Sequence, residues 1–133
     1  MSADVAYLDT SAVVKLFVEE PETRALRQEL KRWPRRASSA LLRVELLRAA
    51  RRAGLPEVVQ KARAHINDLF LIQIESAVLD RAANLTPDDL RSLDAIHLAS
   101  AMSLEMDLGA IVTYDERMSQ AGRELGLPVI APH

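Results

Sequence analysis

The stretch YLDTSAVVKLFVEE, residues 7–20, decides the fold of this chain. An apolar run that begins at Val5 ends directly before Asp9, and an apolar helical pattern then continues to Val18. Such a run is typical of a buried parallel strand, whose chain leaves through a short turn into a crossover helix. Asp9 is therefore expected beyond the carboxyl end of a strand, in the crevice where ligands bind in open α/β sheets. An isolated aspartate there often serves only as a turn residue or helix cap, so its interpretation depends on the other acids.

Further apolar segments alternate with helical patterns along the rest of the chain. The predicted strands are residues 5–8, 36–38, 69–74, 110–113 and 129–130. The predicted helices are residues 11–19, 21–31, 40–52, 56–68, 76–85, 93–106 and 115–125, with Ser92 expected to cap the sixth and Gly109 to end it. This alternation predicts an α/β fold: a single α/β/α domain over residues 1–133, with a central, mostly parallel sheet of about four to five strands flanked by helices.

Composition limits the class of protein. The 133 residues suit one domain, and a hydrophobic content of 49% predicts a packed core. The absence of cysteine excludes a disulfide scaffold, a thiolate metal site and a cysteine nucleophile, and it fits a reducing cytoplasm. No signal peptide is visible, and no apolar run approaches the roughly 20 residues that span a bilayer. We therefore expect a cytoplasmic protein without a membrane segment.

Charge is distributed unevenly along the chain. The net charge is −2, but residues 24–63 hold twelve Lys and Arg against three acids, which gives this segment +9. A basic segment is the electrostatic feature that binding to a phosphate backbone requires. The alternative is that these cations only form the solvated outer faces of helices.

Three acids besides Asp9 occupy suggestive positions. Glu45 shares a helix face with apolar residues and points toward the core or a cleft, where it would pair with Arg48 or Arg52 or hold a cation. Asp94 lies in the first turn of a buried helix, where the helix dipole stabilises an acid; with Ser92 as the cap, it is available for another role. Asp115 follows the strand at residues 110–113 and is either a helix cap or a partner of Asp9.

These four carboxylates can face one crevice if the first and fourth strands are neighbours. Carboxylate oxygens without cysteine ligands suit a hard cation such as Mg²⁺ or Mn²⁺. Divalent ions held by carboxylates serve phosphoryl and phosphodiester chemistry. The spacing of the acids thus favours a metal-dependent hydrolase of phosphate esters.

Four motifs cover nearly the whole chain in order. They are YLDTSAVVKLF at residues 7–17, SSALLRVELLRA at 38–49, LRSLDAIHLASA at 90–101 and VTYDERMSQAGRELGLPVIAP at 112–132. Together they resemble the PIN-domain family, and specifically the VapC-type toxins of bacterial toxin–antitoxin pairs. The resemblance implies a metal-dependent endoribonuclease, a VapB-type antitoxin partner, a homodimer and an RNA substrate.

The resemblance also implies roles for individual residues. Asp9 and Asp94 match direct ligands of Mg²⁺ or Mn²⁺, and Asp115 and Glu45 match acids that hold the ion through water or a second ion. The hydroxyls that match positions orienting the carboxylates are those of Thr10, Ser11 and Thr113. The implied reaction is in-line attack of an activated water on an RNA phosphodiester.

Other readings are open at this point. The protein could be a catalytically silent RNA-binding or partner-binding module with the same pocket. His97 is more typical of a hydrogen-bonded core histidine than of a base or ligand. Trp33 is more typical of an anchor for a loop or an oligomer contact than of a base-stacking residue. Arg43 and Arg91 suit phosphate contacts and ion pairs equally well.

Overall fold

Five parallel strands form the central sheet of the computed structural model, which describes residues 3–54 and 56–133. The strands are β1 (Val5–Leu8), β2 (Arg35–Ser39), β3 (Phe70–Ile72), β4 (Leu108–Val112) and β5 (Val129–Ile130). The helices are α1 (Thr10–Val14), α2 (Thr23–Leu30), α3 (Leu42–Arg52), α4 (Pro56–Asn67), α5 (Ser76–Ala83), α6 (Ser92–Met102) and α7 (Glu116–Glu124). A short 3₁₀ turn, Glu105–Asp107, precedes β4.

The strand order is β3-β2-β1-β4-β5, and every pairing is parallel. β1 is therefore central, with β2 on one side and β4 on the other. This confirms the predicted α/β/α fold and satisfies the condition that the first and fourth strands be neighbours. All five carboxyl ends lie at one edge of the sheet, which we call the carboxyl edge.

Apolar helices cover both faces of the sheet. Successive residues of a strand point to opposite faces, so Ala6 and Leu8 pack into one core layer and Val5 and Tyr7 into the other. The first layer contains buried residues of α1, α2, α3 and α4, and the second contains those of α6 and α7. Because β1 is buried on both faces, its sequence is a continuous apolar run.

Two local predictions on α6 are wrong. Arg91, in extended backbone, is the cap residue, while Ser92 is the first residue of the helix; neither side chain supplies a capping hydrogen bond. The helix ends at Met102, and Gly109 lies within β4 rather than at a helix end. A Cβ at Gly109 would lie 2.2 Å from the Ala3 carbonyl oxygen and 2.3 Å from the Trp33 ring. Close packing, not chain reversal, requires this glycine.

The first helix is also shorter than predicted. α1 ends at Val14 instead of continuing to residue 19, because the next residues form tighter turns and the Lys15 carbonyl accepts the Thr23 hydroxyl at 2.8 Å. Gly54 and Gly126 have positive φ angles of 76° and 77° at the ends of α3 and α7, as their positions in the sequence predict. No helix in the described residues combines the length and apolarity needed to cross a membrane.

Candidate active site

Asp9 lies at the centre of the carboxyl edge, between the end of β1 and the start of α1. Its Oδ1 accepts the backbone N–H of Ala12 at 3.0 Å and the hydroxyl of Ser11 at 2.7 Å. Its Oδ2 accepts the hydroxyl of Thr113. The residue is only 4% exposed. Asp9 is therefore both the helix cap and a buried carboxylate held in one orientation, so the two sequence-based readings of this residue are compatible.

Burial and hydrogen bonding act in opposite directions on this carboxylate. Burial raises the pKa of Asp9, and the hydroxyls of Thr113 and Ser11 oppose the rise without cancelling it. A carboxylate has about four acceptor positions, of which these bonds use three. One position on Oδ2 is left for a further ligand.

Asp115 reaches the same edge because β4 pairs with β1. Its Oδ1 caps α7 by accepting the N–H of Met118 at 2.9 Å. The hydroxyl of Thr113 joins the two aspartates, since it donates to Asp9 and accepts the backbone N–H of Asp115 at 3.1 Å. Asp115 is thus also a cap, and its second carboxylate oxygen is not used for capping.

Asp94 approaches these two residues from the first turn of α6. Burial raises the pKa of Asp94, and the negative charges of Asp115 and Asp9 raise it further, while His97 and Arg91 oppose the rise. The Asp94 carboxylate is therefore close enough to Asp115 and Asp9 for their charges to oppose its ionisation. Within the described part of the chain, the Asp94 carboxylate has no hydrogen bond. Such a group is stabilised by a cation between the acids.

Glu45 completes the acidic edge from α3. Its Oε1 accepts the Thr10 hydroxyl at 2.6 Å and the Nε2 atom of His97 lies 2.7 Å from the same oxygen. Burial raises the pKa of Glu45, but the hydrogen bonds from His97 and Thr10 outweigh it and hold the pKa below its usual value. The helix pattern correctly predicted that Glu45 faces inward.

The ion pair considered for Glu45 is absent. Arg48 and Arg52 form no ion pair with it among the described residues, in which the hydrogen-bond partners of Glu45 are Thr10 and His97. Instead, both arginines line a cleft of about 810 Å³ together with Glu45. The same cleft is lined by Thr10, Ser11, Lys15, Leu41, Leu93 and Tyr114, among others.

Each of the three predicted hydroxyls contacts a carboxylate. Thr10 donates to Glu45, whereas Ser11 and Thr113 donate to Asp9. Ser11 also accepts the backbone N–H of Tyr114 at 2.9 Å, which ties the start of α1 to the residues after β4. This arrangement is suited to orienting the carboxylates.

The donor atoms fit a hard divalent cation. Asp9, Glu45, Asp94 and Asp115 supply only carboxylate oxygens, and the negative charges of Asp115 and Asp9 near Asp94 favour a positive charge beside it. In residues 3–54 and 56–133, however, no three acidic or histidine side chains are gathered into a preformed metal site. The ligand roles of these four residues therefore stay predictions.

Sequence reasoning overlooked Lys15. Its ammonium is mostly buried beside the cleft, 3.1 Å from Glu20, 3.4 Å from Glu22 and 4.7 Å from the centre of the Tyr114 ring. The available signal was its spacing of four residues from Ser11, which places both on one helix face. The charges of Glu20 and Glu22 balance that of Lys15 at the side of the cleft.

Two further residues of the sequence analysis have structural contacts. Trp33 donates its Nε1–H to Glu29 at 2.9 Å and packs on Gly109, so it anchors a loop as predicted. His97 is 2% exposed and hydrogen-bonded on both ring nitrogens, which confirms a core histidine. Arg43 and Arg91 make no ion pair with an acid in the described residues, so their other predicted role, phosphate contact, stays a prediction.

Residues 6–124 match the family model of the PIN domain. Ribonuclease VapC46 of Mycobacterium tuberculosis is 49% identical over 133 residues, which cover 95% of this chain and 96% of that protein. Ribonuclease VapC47 of the same species is 41% identical over 130 residues, with the same coverage. A solved toxin–antitoxin complex from Klebsiella pneumoniae aligns over 96% of this chain and 98% of its own, with a TM-score of 0.74 and 24% identity.

The parallel sheet with aspartates at its carboxyl edge defines an α/β/α protein with a carboxylate-rich site. The family match covers most of the chain, and this chain belongs to the PIN-domain family. Its relatives named VapC confirm the resemblance that the four motifs indicated. The similarity to the Klebsiella complex supports the fold.

Proposed function

We propose that this protein is a divalent-metal-dependent endoribonuclease and the toxin of a VapBC-type toxin–antitoxin pair. The observation that carries the proposal is the acidic carboxyl edge, where the Thr113 hydroxyl joins Asp9 to Asp115 and the charges of both aspartates raise the pKa of Asp94. Two relatives above 40% identity, each aligned over 95% of this chain, are named ribonucleases and support the activity.

The proposed ion is Mg²⁺ or Mn²⁺, held by Asp9 and Asp94 directly and by Asp115 and Glu45 through water or a second ion. Such an ion activates water for attack on a phosphodiester and neutralises charge on the departing oxygen. The residues around the four acids fix their orientation: the main-chain and hydroxyl donors hold Asp9, and the Thr10 hydroxyl holds Glu45.

RNA would enter along the cleft that begins at Glu45. Arg48 and Arg52 line this cleft and have no ion pair in the described part of the chain, so their charges are available to phosphates. An acidic site for the ion beside cations for the RNA backbone accounts for opposite charges in one protein, and two of the twelve cations in residues 24–63, Arg48 and Arg52, line this cleft.

A VapB-type antitoxin and a second copy of this chain are the proposed protein partners. The names of the VapC relatives support the antitoxin. Exposed apolar residues at the cleft, Val44 at 58% and Leu93 at 49%, offer contact area for a partner. Sedimentation that finds only monomers at micromolar concentration would overturn the homodimer.

The test is cleavage of total cellular RNA by the purified chain with Mg²⁺, with Mn²⁺ and with EDTA. Asp94→Asn removes one charge from the acidic edge, and we expect cleavage to fall by about 100-fold or more. Asp80→Asn makes the same change on exposed α5 and is the control, expected to cleave like the wild type.

Two results would contradict the proposal. Cleavage that persists in EDTA would exclude a metal-dependent reaction. Equal activity of Asp94→Asn and Asp80→Asn would exclude a role for the acids at the carboxyl edge in cleavage. If the folded chain, free of antitoxin, cleaves nothing in any lane, a catalytically silent RNA-binding or partner-binding module becomes the better interpretation.

A further inference from the structure

A chain of hydrogen bonds, which we call the relay, joins Tyr7 to Glu45 through His97. The Tyr7 hydroxyl lies 2.7 Å from Nδ1 of His97, and Nε2 of the same ring lies 2.7 Å from Oε1 of Glu45. Tyr7 is fully buried and His97 is 2% exposed. The two rings meet edge to face, with an interplanar angle of 74°. Packing therefore holds both rings in one orientation.

The relay connects the two core layers of the protein. Tyr7 belongs to the layer between the sheet and α6 and α7, whereas Glu45 lies on α3 in the opposite layer. His97 crosses from α6 to Glu45 at the carboxyl edge, one helical turn after Asp94. Nothing in the local sequence around Glu45 predicts this contact, because its partner is 52 residues away.

The direction of each hydrogen bond follows from the groups at the two ends. Oε1 of Glu45 already accepts the Thr10 hydroxyl and acts as an acceptor toward His97 as well, so Nε2 of His97 carries the hydrogen and donates. In a neutral imidazole Nδ1 is then an acceptor, and the Tyr7 hydroxyl donates to it. The buried Tyr7 hydroxyl is the only hydrogen-bond partner of Nδ1 among the described residues, so it supplies the hydrogen of this bond.

Both donors that reach Glu45 bind the same oxygen. Oε1 accepts from Thr10 at 2.6 Å and from His97 at 2.7 Å, while Oε2 has no hydrogen bond within the described residues. Two bonds on one oxygen fix the rotation of the carboxylate and leave the other oxygen available. The side chain is 23% exposed, so this free oxygen has access to the cleft.

We propose that Tyr7 and His97 are positioning residues: Tyr7 holds His97 in the tautomer with hydrogen on Nε2, and His97 holds Glu45 so that Oε2 is presented to the site. This inference rests on the proposed function, since a fixed Oε2 is useful only to a group bound among the acids. A purely structural role would instead stabilise the fold without affecting turnover.

The first test is independent of activity. The imidazole ¹⁵N chemical shifts of the metal-free chain are measured by NMR. The chain has three histidines, and the signals that disappear in His97→Gln are assigned to His97. We expect His97 to be protonated on Nε2 only, and Tyr7→Phe to convert it to a mixture of tautomers while His65 and His133 stay unchanged. A hydrogen on Nδ1 of His97 in the wild type would overturn the relay.

The second test is kinetic. His97→Leu removes the donor to Glu45, whereas the amide of His97→Gln can still donate to it. We expect kcat for RNA cleavage to fall by about tenfold or more in His97→Leu, with KM unchanged, and to recover in large part in His97→Gln. His65→Gln is the matched control, because His65 lies on α4 in contact with Phe17, away from the acids.

Activity is expressed per folded molecule, which circular dichroism and thermal melting determine for each variant. Equal kcat for His97→Leu and wild type, with Asp94→Asn inactive, would overturn the positioning role and leave the proposed function intact. If His97→Leu does not fold, Tyr7→Phe decides: unchanged kcat and unchanged tautomer overturn the inference. A wild type that cleaves no RNA would refute the proposed function, whereas the ¹⁵N shifts would still establish or refute the relay.

Discussion

Asp9 and Asp94 are carboxylates whose charge the fold opposes. Burial raises the pKa of Asp9, and burial together with Asp115 and Asp9 raises that of Asp94. Hydroxyl and backbone donors reduce the free-energy cost of ionising Asp9. Asp94 has no such donor in the described residues. A protein that retains these charges sacrifices stability for a site that attracts a cation.

The metal-free protein should therefore lose stability as these acids ionise. A raised folded-state pKa contributes stability that is fully present below the unfolded-state pKa and is lost as pH rises through the folded-state pKa. We expect Asp9 and Asp94 to lower the melting temperature in EDTA as pH rises from the ordinary aspartate range, about 4, toward neutrality, against the opposite contribution of Glu45, whose pKa is lowered. In Asp94→Asn this lowering should be smaller. Parallel plots of melting temperature against pH for the wild type and Asp94→Asn would refute the raised pKa of Asp94.

Helix α3 presents its charges on different faces. Glu45, Arg48 and Arg52 line the cleft, but Arg51 does not. The basic segment of the sequence is therefore not one surface. Another group of its cations, Arg27, Lys31, Arg36 and Lys61, lines a separate hollow of about 640 Å³ beside His65.

Neutralising the two cleft arginines should weaken RNA binding. In the Asp94→Asn background, where RNA survives, Arg48→Gln with Arg52→Gln should make the plot of log Kobs against log salt shallower by roughly 1 to 2. Arg51→Gln with Arg63→Gln removes the same charge from exposed positions outside the cleft and should change the slope little. Equal slopes for both double variants would show that RNA does not contact Arg48 and Arg52 in the cleft.

The types of element were predictable because local patterns determine them. The continuous run before Asp9 predicted a strand buried on both faces, and the stripe around Glu45 predicted its inward direction. Contacts between distant segments were not predictable: the proximity of Asp9 and Asp115 depends on the β1–β4 pairing, and the partner of Glu45 comes from α6. Ser92 and Gly109 were misread for the same reason, since their local sequence is compatible with capping but their roles depend on neighbours elsewhere.

Packing across the amino-terminal end of the sheet depends on Gly109. The single tryptophan of the chain, Trp33, contacts this glycine, so its fluorescence reports on the contact. Gly109→Ala should cost about 1–3 kcal/mol of unfolding free energy by overpacking and shift the tryptophan emission. The comparison is Gly54→Ala, where the positive φ is strained but nothing lies within 4 Å; its emission should not change. Tryptophan emission in Gly109→Ala identical to that of the wild type would contradict a steric clash between the added Cβ and the Trp33 ring.

The bonds that join residues 9–11 to residues 113–115 have a consequence for synthesis of the chain. Asp9 is oriented by Thr113, and Ser11 by the backbone of Tyr114, across a separation of more than 100 residues. The amino-terminal part of the site is translated early, but it cannot assemble until β4 has emerged from the ribosome and paired with β1. We therefore expect a growing chain to leave RNA uncleaved until β4 is in place, more than 100 residues after Asp9 has been translated.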